Sequence, residues 1–179
     1  MFYLFLADGF EETEALAPLD MMRRAKIEVK TVGVTGEFVT GSHGVTVKAD
    51  LKPEEISFKN IDGVVLPGGM PGTVNLGKSE TVTKAAGYCA ENGKITAAIC
   101  AAPSVLGNLG ILKGKKATCF PGFEKELEGA TYTAAPVEID GNVITGKGAG
   151  CAILFGKAIV EKAVSAEAAN KVCGDMQCP

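Results

Sequence analysis

The sequence predicts an α/β protein: one doubly wound, mostly parallel sheet sandwiched by helices, in a single domain. Three observations carry this. Short apolar runs rich in β-branched residues alternate with longer stretches of helical periodicity. Tight turns such as "ADG" and "PGGMPG" follow the apolar runs directly. No linker, repeat or low-complexity stretch divides the series, and 179 residues that are 46% hydrophobic suffice for one substantial core.

Each element follows from its pattern. Phe2 to Ala7 reads as a buried strand and Asp8-Gly9 as a turn. Glu11 to Ala25 reads as a helix with Ala15, Leu19 and Met22 on one face; Pro18 leaves the Glu14 carbonyl without its usual donor and invites a kink. Ile27 to Val34 is β-branched and reads as a strand, and the alternation from Phe38 to Val47 around "TGSHG" reads as a hairpin. Strands are expected over Ile61 to Leu66, Lys94 to Ile99, Lys116 to Phe120 and Asn142 to Thr145. Helices are expected over Glu80 to Glu91, Ala101 to Ile111 and Ala152 to Val164, with a short polar one from Ala166 to Val172.

Composition excludes several classes. The net charge is −3, and the 18 Lys and Arg are scattered, adjacent only as Arg23-Arg24 and Lys115-Lys116, so nucleic-acid binding has no electrostatic footprint. The six apolar residues Phe2 to Ala7 are too few for a membrane span or a signal-peptide core, and the expectation is a soluble, cytoplasmic protein. Six cysteines in such a chain are expected to be free thiols. With one histidine and no C-x-x-C pair, a metal site is not expected. Cys173 and Cys178 sit in a tail, "CGDMQCP", that reads as frayed, with incidental exposed thiols.

Two glycine-rich stretches invite a nucleotide and fail on context. "GTVNLGKS", residues 72 to 79, matches G-x-x-x-x-G-K-S, but "PGGMP" separates it from the preceding strand, so it lacks the strand-to-helix turn that cradles phosphate. "GKGAG", residues 146 to 150, misses the dinucleotide spacing and comes too late for the acidic residue about 20 positions on that this motif requires. A tight turn is its expected role.

The chemistry concentrates at "AAICAAPSVLG". Cys100 follows a strand and precedes a helix, the place where ligands bind in open α/β sheets, and free N–H groups at a helix start favour thiolate. The competing reading of a free cysteine is a small buried hydrophobe. The turn "DGFEETE" after the first strand supplies Glu11, Glu12 and Glu14. Any of them complements a helix start; one turned inward would meet the thiol, where it must be protonated to donate to sulfur.

The stretches "LADGFEETEALAPLDMMRRA", "VVLPGG", "AAICAAPSVLG", "FPGFEKEL" and "GKGAGCAILFGKAIVE", in this order and spacing, resemble the ThiJ/PfpI superfamily, in the branch of the Parkinson-disease protein deglycase and its bacterial relatives. The resemblance covers nearly the whole chain. It implies a flavodoxin-like sandwich, a homodimer and no cofactor. It also implies that Cys100 is the reactive nucleophile and Glu14 the acid that hydrogen-bonds it. The backbone N–H groups of Gly68, Gly69 and Ala101 would form the oxyanion site. Glu11 would support the turn and a dimer contact, and His43 and Lys147 would fall at basic pocket positions. One position departs: Phe120 stands where many members acting on 2-oxoaldehydes carry a histidine.

The activity implied is glyoxalase or deglycase chemistry. Cys100 would attack a small 2-oxoaldehyde such as methylglyoxal, or an early glycation adduct on a protein side chain, and Glu14 would move the proton. A non-enzymatic alternative makes Cys100 a sensor that oxidises to a sulfinate. A peptidase, the activity of a distant branch, needs a Cys-His arrangement that the missing histidine argues against.

Overall fold

The computed structural model describes residues 1–178. Its elements run β1 (Phe2–Leu6), α1 (Glu12–Arg24), β2 (Val29–Gly33), β3 (Phe38–Thr40), β4 (Thr46–Lys48), β5 (Gly63–Leu66), α2 (Gly72–Lys78), α3 (Glu80–Glu91) and β6 (Ile95–Ile99). They continue with α4 (Pro103–Asn108), β7 (Lys116–Ala117), β8 (Thr131–Tyr132), β9 (Val137–Asp140), β10 (Val143–Gly146), α5 (Ala152–Ala163) and α6 (Ala166–Asp175). The main sheet has the order β2-β1-β5-β6-β10-β9, parallel except for the antiparallel edge strand β9.

Both faces of this sheet are covered, which is why β1 is buried along its whole length and reads as an unbroken apolar run. Side-chain alternation divides the core in two. Leu4, Leu6, Val65, Ala97 and Ile99 join Met21, Met22, Phe155 and Ile159 of α1 and α5 on one face. Tyr3, Phe5, Val64, Leu66 and Ala98 join Val82, Ala86 and Leu106 of α3 and α4 on the other. The strand order reverses direction between β1 and β5, and there the loops leaving the carboxyl ends of the two strands open a crevice.

Most elements stand where the pattern put them, within a residue or two at the ends, and β3 and β4 form the expected hairpin. α1 continues through Pro18 as one helix. Two expectations are corrected. Lys116 to Phe120 is not a sheet strand: β7 stops at Ala117 and pairs only with β8 in a separate two-stranded sheet. Beyond it, Thr118 N donates to Thr145 Oγ1 and Phe120 N to the Cys100 carbonyl, so the chain is spent on strand-end contacts instead of a ladder. Asp140 ends the edge strand β9 and accepts from Lys116 N at 2.9 Å. As its context predicts, "GTVNLGK" forms no phosphate loop: these residues are themselves the helix α2. The tail is not frayed: α6 extends to Asp175, and hydrogen bonds close its end.

Phe155 is fully buried on the α1/α5 face, and its ring also lies 3.2 Å from where a Cβ on Gly146 would be. Phe155→Ala is expected to cost about 3–5 kcal/mol of stability through the cavity it leaves, measured by urea unfolding.

Candidate active site

Three strand ends build the site. Glu14 follows β1 in the first turn of α1, Gly68 and Gly69 follow β5, and Cys100 follows β6. Glu11 caps α1: its Oε2 accepts from Glu14 N at 2.7 Å, and its own N–H donates to the Gly68 carbonyl at 2.9 Å. The cap therefore ties the β1 turn to the β5 turn and aims Glu14 inward.

Glu14 is 1% exposed. Its Oε2 accepts from Gly68 N at 2.9 Å, while Oε1 has no nitrogen or oxygen donor. The remaining polar neighbour is the Cys100 thiol, near enough to hydrogen-bond the carboxyl. Gly68 stands between them: a Cβ there would lie 2.6 Å from Glu14 Oε2 and 2.7 Å from Cys100 Cβ. Gly69 adopts φ +90°, and a Cβ on it would strike the Gly9 carbonyl and Glu11 N, both at 2.4 Å.

Cys100 adopts φ +66°, a left-handed conformation that costs a non-glycine residue about 1–3 kcal/mol. The surrounding chain holds it there from both sides. Cys100 N donates to the Gly146 carbonyl at 2.9 Å, and the Cys100 carbonyl accepts from Phe120 N at 2.8 Å. The N–H groups of Ala101 and Gly69 face the sulfur. That arrangement presents a thiol, a carboxyl and two backbone donors to one point.

Two expectations about this point change. Gly68 N–H is occupied by Glu14, so the donors left for an oxyanion are Gly69 and Ala101. Nor is the thiol made acidic by a helix start. α4 begins only at Pro103 and has six residues, while burial first, and then the Glu14 carboxyl, push the Cys100 thiol up to about 12 against the two amides. Burial, reinforced by the nearby charge of Glu11, pushes the Glu14 carboxyl up to about 7. The two groups therefore titrate as one unit: it loses a first proton about 7 and holds the second until about 12.

The other predicted residues divide. The Phe120 side chain is 48% exposed and lies over the "GKGAG" turn, with its Cδ2 3.3 Å from where a Cβ on Gly148 would be. Lys147 follows the Gly146 carbonyl that anchors Cys100, and its N–H donates to Pro136 O at 3.0 Å. His43 belongs to a separate cluster on the β3–β4 loop. Its side chain is 72% exposed, and its Nδ1 lies 3.1 Å from Glu12 Oε2 and 4.0 Å from Glu11 Oε1. Glu12 also accepts from the N–H groups of His43 and Val45, at 2.8 and 3.3 Å, which holds its carboxyl below the usual range although burial opposes this. Two acids and a histidine here fasten a hairpin, and Glu12, not singled out beyond a helix-start role, is the residue that does it. The sequence reading also missed Gly146 and Phe120 as backbone clamps on Cys100; the strand-end position of "GKGAG" was the available signal.

A thiol at a strained strand-to-helix turn, with a buried carboxyl against it and paired amides above, on a mostly parallel doubly wound sheet, defines a cysteine-centred α/β site. The chain belongs to the DJ-1/PfpI family, whose model matches residues 2–162. Protein DJ-1 homolog B of Arabidopsis thaliana is 35% identical over 174 residues, 96% of this chain, which spans only 40% of that protein. A deglycase of Thermococcus kodakarensis is 36% identical over 145 residues, 79% of this chain and 86% of that protein. The crystal structure of a DJ-1 superfamily protein from Salmonella typhimurium has a TM-score of 0.94 at 32% identity, covering 99% of this chain and 98% of the other. Among the described residues, no helix is long and apolar enough to cross a membrane.

Two predictions follow from the buried carboxyl. A carboxyl whose folded pKa is raised contributes stability that is complete below about 4.5 and is lost as pH rises through about 7. Glu14→Gln does not titrate, so its stability relative to the parent is expected to rise between pH 5 and pH 8, by on the order of 3 kcal/mol, in urea unfolding at each pH. Removing that charge also removes one cause of the raised thiol. Iodoacetamide should modify Cys100 with a midpoint at lower pH in Glu14→Gln than in the parent, read by peptide mass spectrometry.

Proposed function

We propose that this chain is a cofactor-independent, cysteine-dependent enzyme of the glyoxalase or deglycase type, acting on small 2-oxoaldehydes or on early glycation adducts of protein side chains. The single observation that carries the reading is the buried Glu14 carboxyl, raised to about 7, against a thiol held in left-handed backbone. The deglycase among its relatives supports the substrate class.

The shifts assign the first step. Above about 7, Glu14 is the group that has given up its proton and Cys100 the one that keeps it. As sulfur attacks the aldehyde carbon, the thiol proton passes to the Glu14 carboxylate and the C–S bond forms. The carbonyl electrons move onto oxygen, where Gly69 and Ala101 N–H groups meet them. Glu14 then gives this proton to that oxygen and takes the hydrogen of the same carbon as a proton, leaving an enediolate whose hydroxyl proton shifts to the neighbouring oxygen. Return of the proton to the neighbouring carbon yields a thioester, and water releases the 2-hydroxy acid and restores the thiol. The sum is addition of one water to the 2-oxoaldehyde, with no external oxidant or reductant.

With Phe120 at the position of a second proton-handling group, Glu14 carries every transfer. A homodimer belongs to the same proposal, on the strength of the family resemblance. So does a reducing, cytoplasmic setting, which agrees with six unpaired thiols. Light scattering on the purified chain tests the first.

A lactate-forming assay with methylglyoxal separates the roles. Cys100→Ser should abolish turnover with the fold intact by circular dichroism, and Glu14→Gln should lower kcat by about 10²–10⁴-fold. Parent kcat/KM should rise with pH through about 7 as the pair loses its first proton. Equal turnover in parent and Cys100→Ser would end the proposal.

A further inference from the structure

The carboxyl end of α6 is closed by two nested hydrogen bonds. Cys178 N donates to Cys173 O at 2.9 Å, Gln177 N donates to Gly174 O at 3.1 Å, and Gln177 adopts φ +55°. With Met176 as the C-cap, this is a Schellman turn, which sets the side chain at the second position beyond the cap against the one three positions before it. Those two positions here are Cys178 and Cys173. An apolar pair frequently occupies these positions, and this chain puts two thiols there.

The neighbourhood suits reaction between them. Both thiols are free and half-buried, so a small reagent reaches them. The Cys173 thiol is held above its ordinary range by burial and then by the Cys178 sulfur, which marks how near the two lie; the Lys157 ammonium on α5 opposes the shift. Asp175 acts on Arg24, the last residue of α1, a helix whose first turn holds Glu14. Ten residue steps of α1, from Glu14 to Arg24, at about 1.5 Å each lie between this end of the molecule and the carboxyl beside Cys100.

We propose that Cys173 and Cys178 form a dithiol that a small-molecule disulfide, such as oxidised glutathione, converts to an intramolecular disulfide, independently of Cys100. One protein thiol loses its proton and attacks the glutathione disulfide. A mixed disulfide forms and one glutathione leaves as thiolate. The second protein thiol, also deprotonated, attacks the protein sulfur of the mixed disulfide and expels the other glutathione. The two protein sulfurs are oxidised by two electrons in total, the two glutathione sulfurs are reduced, and the two protons end on the released glutathiones. The ring closed is six residues, Cys173 to Cys178, already folded by the cap before oxidation.

The experiment uses the full chain, first fully reduced, then equilibrated with mixtures of reduced and oxidised glutathione, blocked with N-ethylmaleimide and cut with trypsin. The peptide beginning at Val172, after Lys171, contains both cysteines and no others. Under oxidising mixtures it should appear unblocked and two hydrogens lighter. The oxidised fraction should be the same at all protein concentrations, reverse on adding reduced glutathione and persist in Cys100→Ser. In Cys178→Ser, Cys173 should stop at the glutathione adduct. A peptide carrying two maleimides or two glutathiones at oxidising equilibrium, or either cysteine joined to Cys89, Cys100, Cys119 or Cys151, would overturn the proposal.

Discussion

The site depends on one interaction, the burial of the Glu14 carboxyl between the Gly68 amide and the Cys100 thiol. A carboxylate sealed from water with one firm donor is an expensive group, and the chain meets that cost by holding a proton there to about 7. Everything nearby serves to keep the carboxyl in this position. Glu11 caps the helix that carries it, the Glu11 amide grips the Gly68 carbonyl, and Gly68 has no side chain to part acid from thiol. The carboxyl and thiol then behave as one acid with two protons. Between about 7 and about 12 the proton therefore stays on sulfur while the carboxyl has given its own up.

The sheet explains why three separate segments meet at this carboxyl. Parallel strands place their carboxyl ends on one edge, and the reversal of strand order between β1 and β5 opens that edge. β6 lies next to β5, so its exit turn is the third wall, and β10 beyond it supplies the Gly146 carbonyl that holds Cys100 N. The left-handed backbone at Cys100 is held by these fixed neighbours. A loop without them would relax it.

Burial sorts the polar groups by function. Glu12 and Glu14 are two positions apart on α1, yet Glu12 accepts from the hairpin and is held below the usual range, while Glu14 is raised. The same residue type becomes a clasp held ionised in one case and a carboxyl that keeps its proton to about 7 in the other, because the number of donors differs. His43 goes with the clasp, its ring largely in solvent and its Nδ1 against Glu12.

Periodicity and residue type determined much of this protein by themselves. The alternation of β-branched runs with amphipathic stretches was enough for the α/β class and most elements, because strands buried on both faces must be continuously apolar. The strand-end position of Cys100 and the carboxyls of "DGFEETE" marked the site. Residue type and spacing left Glu11, Glu12 and Glu14 equivalent and only the resemblance singled out Glu14; the tertiary structure supplies the reason, since a cap and a hairpin occupy the other two. It alone showed that Lys116 to Phe120 leaves the ladder, because that chain's hydrogen bonds go to Thr145 and Cys100, residues distant in sequence. It likewise reversed the expected acidity of Cys100 and brought the two thiols of the tail together. Desolvation and the closing of a helix cap depend on what surrounds a group in space, and no local pattern records that.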